Sequence, residues 1–127
     1  LKQGVERMEI HLARAEQLCR ENNTVSAKAC LDSMFQIAGE LGLVTEFFIN
    51  VLAYNYYSDK SENILFAILN KSIELFPTSS AALEVLASAY YDFGKKDLAR
   101  EYYRKVLELD PDTIQAQKRL KELTEKK

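Results

Sequence analysis

Apolar residues recur every three or four positions along most of the chain, which is the spacing of amphipathic helices. On the first predicted helix, for example, Met8, Leu12, Ala15 and Cys19 share one face. Short polar or helix-ending stretches separate one such segment from the next. The pattern predicts seven helices, over residues 3–22, 25–41, 46–58, 62–76, 80–93, 96–109 and 113–125. No segment alternates apolar and polar residues between turns, so the sequence predicts an all-α fold without strands.

Residues with special backbone preferences mark the ends of these helices. Gly42 is suited to the left-handed conformation that follows a helix, and Thr45 is suited to cap the next one. Pro77 cannot continue a helix, and residues 78–80 supply capping side chains for the helix that follows. Residues 58–61 are polar and offer a further cap. The predicted connections are therefore short, as expected for helix pairs.

The third predicted helix differs from the others because it is apolar on nearly every side. Residues 47–57 read FFINVLAYNYY and contain no charged residue. A helix of this composition is usually buried between neighbouring elements. We therefore expect residues 46–58 to be enclosed by the rest of the fold.

Two prolines 34 positions apart reveal an internal repeat. Pro77 and Pro111 each end a segment in which the same residue types stand at the same offsets. The first segment reads Ile49-x2-Leu52-Ala53-x2-Tyr56 and Leu65-x3-Leu69, and the second reads Leu83-x2-Leu86-Ala87-x2-Tyr90 and Ala99-x3-Tyr103. A fixed period of this length indicates an array of helical repeats.

Composition narrows the class of protein. The chain has 127 residues, enough for a single domain, with 47% hydrophobic and 28% charged residues, as is ordinary for a soluble globular domain. Its net charge of −2 argues against a nucleic-acid partner, which normally requires a basic excess. No apolar run approaches the ~20 residues of a membrane span, and residues 1–20 lack the apolar core of a signal peptide. The chain begins with Leu1, as a fragment of a longer protein would, and its compartment stays unknown.

The residues that carry catalytic chemistry are missing from the sequence. There is no Gly-x-Ser-x-Gly, no Ser-x-x-Lys and no glycine-rich phosphate loop. His11 is the sole histidine and is expected to be a surface residue, since one histidine builds neither a triad nor a usual zinc site. Cys19 and Cys30 are expected to be small packed side chains, although their positions also permit a disulfide. We therefore expect no enzymatic activity, no cofactor and no metal in this chain.

Residues 80–111 resemble a tetratricopeptide repeat. Leu86, Ala87, Tyr90, Ala99, Tyr103 and Pro111 stand at the spacing of that family, with Gly94 at the tight turn and Leu83 in place of the usual Trp. The resemblance is weaker over residues 46–77 and weakest in the first hairpin. It implies a right-handed superhelix of about three antiparallel helix pairs, in a single domain: a divergent hairpin at 3–41, repeats at 46–77 and 80–111, and a capping helix at 113–125.

The same resemblance implies a concave groove lined by the first helix of each pair. Carried over by position, the groove residues are Phe47, Asn50, Tyr54, Tyr57, Glu84, Ser88, Tyr91, Asp92, Gln115 and Lys118. Tyrosine suits peptide contact because it joins a large apolar ring to a polar tip. For Tyr54, Tyr57 and Tyr91, contact with a ligand and plain packing between helices both stay open, whereas Tyr56, Tyr90, Tyr102 and Tyr103 are expected to pack between helices.

The leading hypothesis is that this chain is a non-catalytic module that binds a protein or peptide. Two further hypotheses follow from the sequence. Residues 45–125 also look like the tetratricopeptide tail of some bacterial serine hydrolases, which include beta-lactamase-like enzymes and esterases, through residues 49–54, 64–76 and 77–81. In that case the chain would pack on, or dimerise, a catalytic domain. The third hypothesis is a structural homodimer driven by the apolar helix at 46–58 or by a poorly covered N-terminal hairpin.

Overall fold

The computed structural model describes residues 2–57 and 62–125. These ranges contain seven helices and no strand: α1 (Lys2–Arg20), α2 (Thr24–Glu40), α3 (Glu46–Tyr54), α4 (Glu62–Leu75), α5 (Ser80–Asp92), α6 (Lys96–Leu109) and α7 (Ile114–Glu125). The predicted all-α, tetratricopeptide-like fold is thereby confirmed. The predicted cap at residues 58–61 lies outside the described residues.

The chain forms two compact units, Leu1–Ile68 and Leu69–Lys127, whose boundary falls within α4. The N-terminal part of α4 contributes Ile64, Leu65 and Ile68 to the core of the first unit. The prediction that residues 1–127 form a single domain stays a prediction.

In the first unit, α1 and α2 pack against each other as a helical hairpin. Asn22 adopts a left-handed conformation (φ 61°) at the connection, and the Asn23 side chain caps α2 by accepting a hydrogen bond from the Ser26 N–H at 3.3 Å. Asparagine tolerates both roles because its short side chain bonds to nearby backbone. Ala15, on α1, and Ala38, on α2, are completely buried, and such small side chains allow helices to approach closely.

The third helix begins where the sequence predicts but ends earlier. Thr45 caps α3 by accepting a hydrogen bond from the Phe48 N–H at 3.1 Å. The helix ends at Tyr54 and not at residue 58, since Asn55 is its C-cap and residues 55–56 are a turn. Asparagine favours such positions because its side chain competes for backbone hydrogen bonds. The predicted length of this helix was therefore too long.

Burial of α3 also differs from the prediction. Ile49 and Ala53 are buried on one face, and the Phe48 ring meets the Phe35 ring edge-on with 6.5 Å between centroids. On another face, however, Phe47 and Tyr54 are 78% and 80% exposed. The expectation that this helix is enclosed on all sides was wrong, because only one side of it packs against the described residues.

In the second unit, α5 and α6 form the most tightly packed pair. Their connection contains Gly94 at φ +76°, a conformation that other residues adopt only with strain. Ala87 and Ala99 are completely buried, which fits the predicted role of small residues in a close helix approach. Tyr103 is also completely buried, and α7 packs against α6.

Candidate functional site

The predicted groove residues of the first unit lie on or just after α3. Phe47 and Tyr54 are almost fully exposed, Tyr57 is 36% exposed, and Asn50 is half-buried. Val51 lies between Phe47 and Tyr54 on the same side of the helix and is 48% exposed. Large apolar side chains exposed together on one helix face are uncommon on a protein surface.

A shallow cavity of about 280 Å³ opens on this face of α3. The described residues that line it are Phe47, Asn50, Val51, Tyr54 and Asn55. None of them is charged, and the chain has no charged residue anywhere between positions 47 and 57. We refer to this set of five residues as the α3 face. It offers apolar and aromatic surface with two amide groups at its side.

The predicted groove residues of the second unit have different surroundings. Asp92, Gln115 and Lys118 are exposed, whereas Glu84 is half-buried. Ser88 and Tyr91 are half-buried because they contact α7. These two residues take part in a polar cluster that the sequence did not predict.

Arg119 on α7 is the centre of this polar cluster. Its Nη1 donates hydrogen bonds to the Tyr103 hydroxyl at 2.7 Å and to the Ser88 hydroxyl at 3.3 Å. The two hydroxyls are themselves 3.1 Å apart. The guanidinium also lies over the ring of Tyr91, 4.3 Å from its centroid. Arg119 therefore provides the buried hydroxyl of Tyr103 with a charged hydrogen-bond donor.

Another contact between α5 and α7 is a hydrogen bond from the Tyr91 hydroxyl to Glu122 Oε1, at 2.9 Å. This bond, followed by partial desolvation, raises the pKa of Tyr91 above its ordinary value. Burial alone would lower the pKa of Arg119, but the hydrogen bond to Tyr103 and the nearby Asp92 charge raise it. Tyr91 and Arg119 are protonated at neutral pH even with their ordinary pKa values, so both can donate the hydrogen bonds described.

Arg119 is the residue that sequence reasoning missed. It stands between Lys118 and Lys121 in a polar stretch, where a solvent-exposed role is the ordinary interpretation. Tyr103 gave one signal that a polar partner exists. The repeat spacing places Tyr103 inside the fold, and a buried phenol normally needs a hydrogen-bond partner. Nothing in the spacing of the repeat identifies which residue supplies that partner.

The two cysteines are not joined in a disulfide. Cys19 is buried and Cys30 is half-buried, and both thiols are free. Burial raises the pKa of Cys19, which keeps its thiol protonated and unreactive. Within residues 2–57 and 62–125, no group of three or more His, Cys, Asp or Glu residues could hold a metal ion.

The described part of the chain also has no helix with the length and apolar character that crossing a membrane demands.

Comparison with known proteins agrees with the repeat found in the sequence. Residues 80–113 match the family model described as "Tetratricopeptide repeat". No curated protein matches the chain, so the resemblance to the tails of serine hydrolases receives no support. The matched residues comprise α5, α6 and the connection that leads to α7. The chain therefore contains a tetratricopeptide repeat at residues 80–113, a helical module of a kind that typically mediates contacts between proteins.

Proposed function

We propose that this protein is a non-catalytic binding module that contacts a protein or peptide partner through the α3 face. One observation carries the proposal: Phe47, Val51 and Tyr54 leave 78%, 48% and 80% of their surface exposed on the same side of one helix. Covering this surface would be favourable, at roughly 25 cal/mol per Å² of apolar area removed from water.

The composition of the α3 face favours a protein as the partner. The centres of protein interfaces are enriched in aromatic residues and depleted in charged ones, and the α3 face has both properties. Nucleic acid requires basic side chains, and none occurs between positions 47 and 57. The tetratricopeptide repeat at residues 80–113 supports the same class of function.

The other predicted groove residues belong to the second unit and are Glu84, Ser88, Tyr91, Asp92, Gln115 and Lys118. Asp92, Gln115 and Lys118 are exposed, and Ser88 and Tyr91 contact Arg119. Contact with a ligand is therefore assigned first to the α3 face. The alternative to a different protein as partner is a homodimer formed through the α3 face.

To test the proposal, peptides that bind the wild-type protein are first selected from a displayed random library. Binding of each peptide to Phe47→Ala and Tyr54→Ala is then measured by fluorescence anisotropy, with the melting temperature recorded for each variant. We expect each substitution to weaken binding about tenfold or more, since exposed aromatic anchors often dominate interface energies. The melting temperature should change little, because these side chains make few contacts within the protein.

Ile10→Ala is the matched control, since Ile10 is an apolar residue of α1 that is 67% exposed. It should leave both binding and melting temperature unchanged. Peptide affinities that are equal in wild type, Phe47→Ala and Tyr54→Ala would overturn the proposal. Sedimentation of the wild-type protein at micromolar concentration identifies the alternative, because a dimer that Tyr54→Ala dissociates would make a second copy the partner.

A further inference from the structure

The cavity on α3 has the geometry of a hole in a coiled coil. Four of its lining residues, Phe47, Asn50, Val51 and Tyr54, stand at positions i, i+3, i+4 and i+7 of a single helix. In helix–helix packing of the knobs-into-holes type, four residues of one helix form the hole that receives one side chain of the facing helix. We infer that the α3 face binds an α-helix of another protein, which inserts an apolar side chain into this hole. The inference rests on the proposed function and specifies the partner.

The spacing of the exposed apolar residues agrees with this geometry. Phe47, Val51 and Tyr54 follow one another at intervals of four and three residues, which is the alternation of a heptad seam. The volume of about 280 Å³ admits a leucine, isoleucine or methionine side chain. Phe47 and Tyr54, at the two ends of the hole, would pack along the partner helix on either side of the inserted residue.

The polar groups of the α3 face favour a helix over an extended peptide. An extended peptide carries backbone N–H and C=O groups that need hydrogen-bond partners when they lose water, and each group left unpaired weakens binding. The α3 face offers only the side-chain amides of Asn50 and Asn55 for this purpose, beside the terminal hydroxyl of Tyr54. A helix satisfies its own backbone hydrogen bonds, so an apolar surface is sufficient to bind it.

The lack of charged residues on the α3 face determines which residues the partner helix can place beside its apolar ones. Residues that flank the seam of a coiled coil usually form ion pairs with the facing helix. The residues beside this seam include Asn50 and Asn55, and positions 47–57 contain no charge that could pair with one on the partner. The partner helix must then present apolar residues at heptad spacing, with uncharged residues directly beside them, because a buried unpaired charge is costly.

Two displayed libraries of equal length test this inference on the full chain. The first presents a helix on a fixed helical-hairpin scaffold with one face randomised, and the second presents linear peptides with a central proline that prevents helix formation. Selected binders are measured against wild type, Val51→Phe and Val51→Lys. Val51→Phe fills the hole and keeps the surface apolar, whereas Val51→Lys introduces a charge on a good helix former.

The helical library should yield binders with Leu, Ile or Met at intervals of three and four residues. Both substitutions should weaken these binders about tenfold or more, equivalent to about 1.4 kcal/mol. Their affinity should not change between about 0.05 and 0.5 M salt, because no charged pair contributes. Val25→Lys is the matched control, since Val25 on α2 is 82% exposed, and it should have no effect.

Each other outcome overturns the inference in a distinguishable way. If only linear peptides bind and the Val51 variants weaken them, the partner is not a helix, although the proposed binding function stands. If binders from neither library respond to Val51, Phe47 or Tyr54, both the inference and the proposed function fail. If wild type self-associates and Val51→Lys abolishes this, a second copy of the chain fills the hole.

Discussion

The guanidinium carbon of Arg119 lies 4.3 Å above the centre of the Tyr91 ring, so a residue of α7 covers an aromatic side chain of α5. The same guanidinium donates a hydrogen bond to Tyr103 on α6 at 2.7 Å. One side chain of the C-terminal helix thus contacts both helices of the tetratricopeptide repeat. We expect this contact to contribute much of the attachment of α7, since α7 buries few apolar residues, Ala116 and Leu123 among them.

Arg119→Ala should lower the free energy of unfolding by about 2 kcal/mol. It removes a charged hydrogen bond and a cation–π contact, and it leaves the buried Tyr103 hydroxyl with Ser88 as its remaining neighbour. Thermal and urea unfolding followed by circular dichroism measure the change. Lys118→Ala, an exposed position on the same helix, is the control and should stay within about 0.5 kcal/mol of wild type.

The Tyr103 hydroxyl should contribute more to stability when Arg119 is present than when it is absent. Tyr103→Phe should cost about 1–2 kcal/mol in wild type and clearly less in the Arg119→Ala background. The double-mutant cycle is measured by urea unfolding, with Tyr102→Phe as the control because Tyr102 contacts Tyr90 and Lys105 through its ring. Equal costs of Tyr103→Phe in the two backgrounds would contradict the assigned hydrogen bond.

Tyr56 should make the protein sensitive to alkaline pH. Its hydroxyl donates a hydrogen bond to Glu16, and burial, then this bond and the Glu16 charge, raise its pKa well above the ordinary value of about 10. Because the unfolded chain loses this proton first, the native state binds more protons above that pH. The stabilisation is therefore complete below pH ~10 and declines as the pH rises further.

Comparison with Tyr56→Phe isolates this effect from other groups that titrate at alkaline pH. Urea unfolding of both proteins at several pH values between about 8 and 11 gives the difference in stability. The advantage of wild type over Tyr56→Phe should be constant up to pH ~10 and shrink above it. A difference that stays constant throughout this range would show that the fold does not raise the pKa of Tyr56.

Replacing Gly94 and Gly39 by alanine should change the stability of the protein in opposite directions. Gly94→Ala should destabilise the protein by about 1 kcal/mol or more, because Gly94 has φ +76° and alanine is strained there. Gly39→Ala should stabilise it by about 0.5 kcal/mol, since Gly39 is helical and the nearest atom to an added Cβ is Val44 Cγ2 at 3.9 Å. Melting temperatures of the two variants, measured side by side, test the pair.

Sequence reasoning located the helices well because their ends carry strong local signals. Thr45 and Ser79 cap α3 and α5 through their hydroxyls, and Gly42 and Gly94 adopt left-handed conformations at the expected turns. The exposure of α3 was not predictable in the same way. A local pattern reports how apolar a helix is, but whether a neighbour covers a given face depends on packing that is remote in sequence.

The candidate site was predictable only in part for the same reason. The resemblance assigned Phe47 and Tyr54 to a groove, whereas the apolar pattern predicted an enclosed helix, and the structure leaves both side chains exposed. Neither signal indicated that Arg119 contacts Tyr91 and Ser88. The contact joins residues 28 and 31 positions apart, and its partners follow from the angle at which α7 meets α5. Such an angle is not encoded in the period of the repeat.

The hydrogen bonds that attach α7 to the fold determine how this helix is oriented. Apolar contacts such as those of Ala116 and Leu123 are non-directional, so a helix held by them alone could rotate about its axis or slide by a turn. The hydrogen bonds of Arg119 and Glu122, and the bond from Arg100 to the Leu123 carbonyl oxygen at 3.0 Å, each require a defined direction. Together they select one rotational setting for α7, and the outward directions of Gln115 and Lys118 are fixed along with it.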